Sequence, residues 1–121
     1  MDDILLRSDD VGVATLTLNS PANLNALSDA MLAALADAFR ALSQDDSIRA
    51  IVLRGSGKAF CAGHDLKEMQ AKRAAPDGGA AALADLFNRC AEVMTAIPRL
   101  PQPVIAEVHG IATAAGCQLV A

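Results

Sequence analysis

Hydrophobic and polar positions alternate along "ILLRSDDVGVATLTLN", Ile4 to Asn19. Val11, Val13, Thr15 and Thr17 interleave with Gly12, Ala14, Leu16 and Leu18, a period of two that predicts two strands around a turn at Asp9-Asp10 and Gly12. "SPANLNAL", broken by Pro21 and two asparagines, reads as a loop. The period then lengthens. Leu27, Met31, Leu35, Ala38 and Leu42 recur at helical spacing, Asp29, Asp37, Arg40 and Gln44 lie largely off that stripe, and Ser28 is placed to cap the helix. Asp45-Asp46 reads as a plain helix exit, and "AIVLR" as a short buried strand. "AAPDGGA" is a flexible break. The amphipathic helix after it sets Leu83, Phe87, Cys90, Met94 and Ile97 on one face and is expected to end at Pro98. "PRLPQP" is rigid and extended, "VIAEVHG" is a further strand, and "IATAAGCQLVA" turns and then becomes helical. The predicted order is strand, strand, helix, strand, helix, strand, helix, without a domain linker or an exact internal repeat.

Composition narrows the picture. With 121 residues there is room for about one domain. The chain is 53% hydrophobic but only 2% aromatic, so its core must be aliphatic. A net charge of −4 argues against nucleic acid or an anionic membrane as the main partner. It leaves room for an anionic ligand held by a few local lysines. No apolar run reaches the roughly 18 residues of a membrane span, and "MDDILL" has neither the basic region of a secretory signal nor that of a transit peptide. Cys61, Cys90 and Cys117 are too few and too scattered for a disulfide framework. A reduced, cytoplasmic protein is expected. Ala121 falls inside an apolar, helix-like run with no cap or polar tail. Residues 1–121 are therefore expected to be the N-terminal portion of one domain, with its remainder elsewhere.

The chemistry concentrates in "GSGKAFCAGHDLKEM", Gly55 to Met69. A phosphate loop fails, because Ala59 follows Gly57-Lys58 and Val52 stands where the first glycine belongs. A dinucleotide fingerprint is weak, with Phe60 at its third glycine. Zinc would need more ligands than Cys61 and His64, since His109 and Cys117 form no second pair, and no metal site is expected. Cys61 with His64 or His109 as base is conceivable, but a small buried apolar residue is the simpler reading of Cys61. The remaining reading uses the backbone. A strand ends at Arg54, a glycine-containing loop follows, and a helix starts near Asp65. "HGIATAAGCQL" repeats the design, with a strand ending at His109 and a helix from about Ala115. Amides at helix starts are unpaired, and two such loops could meet at one developing oxyanion.

"NLNAL", "GKAFCAGHDLKEM" and "PQPVIAEVHGIATAAGCQL", in this order and spacing, resemble the crotonase superfamily of enoyl-CoA hydratases and isomerases over essentially the whole chain. The resemblance implies an α/β fold, a crotonase-like (ClpP/crotonase) spiral of strand-strand-helix repeats, incomplete at the C-terminus. It implies acyl-CoA chemistry of the kind used in fatty acid metabolism, with the thioester oxygen between two backbone amides. Coenzyme A would enter as part of the substrate, with no tightly bound cofactor, and a homotrimer or homohexamer would be the assembly. Matched onto the motifs, the two amides are those of His64 and Ala115. Ala22, Leu24, Ala26, Ala62 and Leu66 match the adenine and pantetheine path, and Lys58 and Lys67 match lysines that meet coenzyme A phosphates. Ala22 itself stands where many hydratases carry a phosphate-binding lysine. Asp65 matches the motif's aspartate and reads as a helix cap.

Gln118 is the main departure, standing where the hydratases carry a catalytic glutamate. Hydration needs a base for water and an acid for the alpha carbon, and glutamine exchanges no proton at neutral pH. A second family glutamate would lie beyond Ala121. An isomerase, needing one proton shuttle, and a weakly catalytic thioester-binding or interaction protein are therefore the alternatives. His64 beyond its amide reads as a pocket wall, Glu107 and His109 as residues sharing a strand face, and Lys67 and Glu68 as solvated charges or ligands.

Overall fold

The computed structural model describes residues 3–121. β1 (Leu5–Asp10) and β2 (Val13–Leu18) pair antiparallel, from Leu5 opposite Leu18 to Asp10 opposite Val13. Val11 and Gly12 alone join them, at φ 46° and 80°, the left-handed geometry of a two-residue hairpin. Asp9 and Asp10 thus close β1 instead of forming the turn. Helix α1 (Asp29–Ser43) follows, and the Ser28 hydroxyl accepts a hydrogen bond from the Met31 amide at 3.1 Å. Its buried face is Met31, Leu32, Leu35, Phe39 and Leu42. Leu32 and Phe39 widen the single stripe read from the sequence, as a helix lying on a sheet requires.

Strand β3 (Ala50–Gly55) runs parallel to β2, with Ala14 beside Ile51 and Leu16 beside Leu53. All four are 0% exposed, and full burial of each large aliphatic side chain stabilises by about 1.5–3 kcal/mol. Then come β4 (Ala59–Cys61), α2 (Leu66–Arg73), α3 (Ala80–Arg99), β5 (Val104–Glu107), β6 (Ile111–Ala112) and α4 (Ala115–Val120). The larger sheet has the order β1-β2-β3-β5, and β4 and β6 form a second, parallel pair. The chain is thus three successive strand-strand-helix turns, α2 and α3 together closing the second.

Several expectations shift. The strands that precede the two loops are β4 and β6; β3 and β5 stop earlier. β4 and β6, three and two residues long, are too short to carry a periodicity. Because β5 stops at Glu107, Glu107 and His109 do not share a strand face. Glu107 lies 3.9 Å from Arg54, and His109 Nε2 lies 2.7 Å from the Gly57 carbonyl oxygen. In α3 the buried residues are Leu86, Cys90 and Val93, while Phe87 is 48% exposed. Leu83, Met94 and Ile97 are partly buried against the same core, so the apolar surface of α3 is broad and Phe87 stands at its margin. Pro98 lies inside the last turn, where only one intrahelical bond is lost, and the helix runs on to Arg99.

Asn25 belongs to a loop by its sequence, yet it is 0% exposed. Its Oδ1 accepts from the Ser20 amide at 2.8 Å, and its Nδ2 donates to the Ser56 and Ala59 carbonyls at 2.8 and 3.0 Å. It therefore fastens the loop before α1 to the segment joining β3 and β4. Asn25→Ala leaves buried polar groups unpaired and is expected to cost at least about 2 kcal/mol. Urea unfolding of the full-length protein measures this, and a loss below about 0.5 kcal/mol would show that the loop is held by other contacts.

Candidate functional site

Parallel pairing of β4 with β6 sets Ala59 beside Ile111 and Cys61 beside Ala112. The residues after each strand must then leave the pair at the same end. The Thr113 amide donates to the Cys61 carbonyl at 3.1 Å, and the Thr113 hydroxyl to the Ala62 carbonyl at 3.3 Å. Gly63 has φ 95°, and a methyl group on it would lie 3.1 Å from Ala114 Cβ and 3.5 Å from the Ala115 nitrogen. Residues 62–64 and 113–115 are thus in backbone contact. Among the described residues, neither the His64 nor the Ala115 amide donates a hydrogen bond. The loop before α1 closes the other side, with Leu27 N donating to Gly63 O at 2.6 Å and Ala62 N to Leu24 O at 3.1 Å.

Two cavities meet at His64. The first, about 660 Å³, is lined by Ala22, Asn23, Leu24, Ala26, Ala62, His64, Asp65, Leu66, Lys67, Met69 and Ala114. The second, about 560 Å³, is lined by His64, Phe87, Cys90, Ala91, Met94, Thr95, Gln118 and Ala121. The first is an apolar trough with one lysine near it. The second is apolar except for His64, Thr95 and Gln118.

The sequence profile of enoyl-CoA hydratase/isomerase matches residues 8–121. The chain belongs to the enoyl-CoA hydratase/isomerase family. It is 43% identical over 110 residues to the mitochondrial enoyl-CoA hydratase domain-containing protein 3 of Xenopus laevis, covering 91% of this chain and 36% of that protein. It is 38% identical over 120 residues to the 1,2-epoxyphenylacetyl-CoA isomerase of Escherichia coli K12, covering 98% and 45%. An enoyl-CoA hydratase structure from Mycobacterium smegmatis superposes with a TM-score of 0.90 at 62% identity, covering 98% of this chain and 44% of that one. The fold is therefore the crotonase fold, and the chain spans less than half the length of these relatives.

Within this family member the motif residues divide. Ala22, Leu24, Ala26, Ala62, Leu66 and Lys67 share the first cavity. Lys58 is exposed and lines neither cavity. Ala115 is 5% exposed, its side chain turned into the core. Gln118 is exposed and shares the second cavity with His64. Asp65 caps α2, its carboxylate accepting from the Lys67 and Glu68 amides at 3.0 and 3.2 Å. Glu68 is not merely solvated, because its Oε1 accepts from the Asp29 amide at 2.8 Å. Cys61 is buried in β4, and burial pushes its thiol upward, opposite to what a nucleophile needs. Phe87, Cys90 and Met94 lie on the apolar face expected of α3. Their role as a cavity wall has no signature in the sequence, because one apolar stripe serves either purpose.

The His64 ring meets Phe87 edge-on, with centroids 5.5 Å apart and planes at 72°. Its Nδ1 is buried without a hydrogen-bond partner. Burial lowers the imidazole pKa from the usual 6.5, and the neighbouring Leu27 backbone partly opposes this. The folded-state value therefore lies below the unfolded one. The neutral ring's contribution to stability is complete above about pH 6.5 and is lost as pH falls through the folded value. An NMR titration of the full-length protein is expected to place the His64 midpoint below 6.5, and a midpoint above it would contradict this account of its surroundings.

Proposed function

We propose that this protein acts on acyl-CoA thioesters, holding the thioester oxygen with the amides of His64 and Ala115 and so stabilising enolate-like charge on the acyl group. The observation that carries the reading is the position of His64. Its amide is unengaged, its loop touches Ala114 and Ala115, and its side chain borders both cavities. On this reading the cavity of Ala22, Leu24, Ala26, Ala62 and Leu66 takes the pantetheine arm, with Lys67 near the phosphates. The cavity of Phe87, Cys90, Met94 and Gln118 takes the acyl group. Coenzyme A arrives with the substrate and no other cofactor is used. Lys58, outside both cavities, is left with at most a distant electrostatic part. Cytoplasmic trimers or hexamers complete the reading.

Gln118 favours isomerisation over hydration. Its amide can orient a water or a carbonyl but cannot move a proton, whereas a double-bond shift needs only one proton-carrying group.

Two substitutions in the full-length protein test the proposal. His64→Pro removes one amide donor. It is expected to lower kcat on 2-butenoyl-CoA or on its 3-enoyl isomer by about 10²–10³-fold, equal to about 2.7–4 kcal/mol. Unchanged turnover in a folded variant would defeat the amide site. Gln118→Glu restores a carboxylate at nearly constant volume. It is expected to raise 2-butenoyl-CoA hydration at least about tenfold, short of the full contribution of about 10²–10⁴-fold because hydration also needs the partner acid–base group. Wild-type hydration already at a good hydratase's rate would show that Gln118 is not limiting.

A further inference from the structure

We propose that Asp29, which none of the sequence motifs includes, is a positioning residue that holds α2 over the first cavity. This rests on reading that cavity as the coenzyme A path. Helix α2 needs such a device, because it contains no buried residue. Only Met69 packs against the core from it, while Leu66, 73% exposed, and Lys67 stand at the cavity. An eight-residue helix of this composition has too little apolar contact and too little intrinsic stability to dock itself.

Polar contacts supply what apolar packing does not. Asp29 Oδ2 accepts from Lys72 Nζ at 2.6 Å, and Asp29 Oδ1 from Arg89 Nη2 at 2.6 Å. Arg89 is itself held by Asp85 at 3.0 Å. The Asp29 amide donates to Glu68 Oε1 at 2.8 Å. One residue at the start of α1 therefore grips α2 at its first turn through Glu68 and its last turn through Lys72. The carboxylate ties Lys72 to Arg89 in the middle of α3. The paired cations hold the Asp29 carboxylate below its usual pKa, the Lys72 hydrogen bond most of all. A carboxylate in the first turn of a helix is ordinarily explained by the helix dipole, but that effect would stabilise α1 and leave α2 indifferent.

The test compares hydrogen exchange and thioester binding in the full-length wild-type protein and in Asp29→Asn. Amides of residues 67–73 are expected to exchange at least about tenfold faster in the variant, while those of α1, β2 and β3 keep their protection. If α2 is docked for only a fraction of the time, the apparent Kd rises by the inverse of that fraction. The Kd for 2-butenoyl-CoA is therefore expected to rise about fivefold for a docked fraction near one fifth, with the kinetic effect falling on KM and not on kcat. Lys72→Met should reproduce the change, the double variant should add little to it, and Lys72→Arg should keep wild-type behaviour. Faster exchange throughout α1 and the sheet, or no change in α2, overturns the proposal. Should Asp29→Asn fail to fold, Lys72→Met carries the same comparison. If the wild-type protein does not bind 2-butenoyl-CoA, the acyl-CoA reading falls and the exchange arm alone decides whether Asp29 positions α2.

Discussion

The contact between β4 and β6 is small, and the site depends on it. Two strands of three and two residues run parallel, and what keeps them together is close backbone approach. A methyl group on Gly116 would overlap the Cys61 carbonyl oxygen. No other residue type lets α4 begin so near β4. Because the pair is parallel, the loops after both strands emerge on one side, and the amides of successive strand-strand-helix turns become neighbours. An antiparallel pair would have sent them to opposite ends. The geometry of the candidate site is therefore a consequence of repetition in the fold, made tight by two glycines, Gly110 against Lys58 and Gly116 against Cys61.

The larger sheet and α1 provide the rigid frame behind that contact. β2, β3 and α1 bury their aliphatic residues almost completely, so their relative positions are fixed by packing. Asn25 then transfers the frame's position to the loop before α1, and that loop's hydrogen bonds to Ala62 and Gly63 transfer it to the site. Helix α2 lies outside this chain of contacts. It is held by ion pairs that are partly exposed and screened by salt, which places the least firmly held helix beside the cavity.

Elements with a sustained period were legible in the sequence. The hairpin, α1, β3 and α3 each present enough alternating or helical positions to be read, and Ser28 and Asp65 mark the starts of α1 and α2 by chemistry that depends only on local backbone. The features that escaped depend on residues distant in sequence. β4 and β6 exist because each has the other to pair with, and no window of three residues encodes that. Phe87 and Leu86 are adjacent and both apolar, yet only the approach of α1 and the opening of the cavity decide which is buried. Asn25 looked like any loop asparagine because its partners lie 31 and 34 residues away. The backbone reading of the two loops was possible because glycine placement and a capping aspartate are local signals. That the two loops meet was also expected from their like positions after strands, while the β4–β6 pair that sets the contact has no local signal.

Ala114 shows how far this chain departs from the most permissive version of the design. It has φ 51° and ψ −123°, a conformation that glycine adopts freely and that costs an alanine about 1–3 kcal/mol. The strain sits between β6 and α4, at the residue just before the Ala115 amide, so the rest of the fold holds the loop in that shape against its local preference. A backbone kept that way fixes the direction of the following amide, which a carbonyl-binding site requires. The methyl group also borders the first cavity and narrows the approach to that amide. Gln118, which lines the adjoining cavity, offers an amide and no ionisable proton.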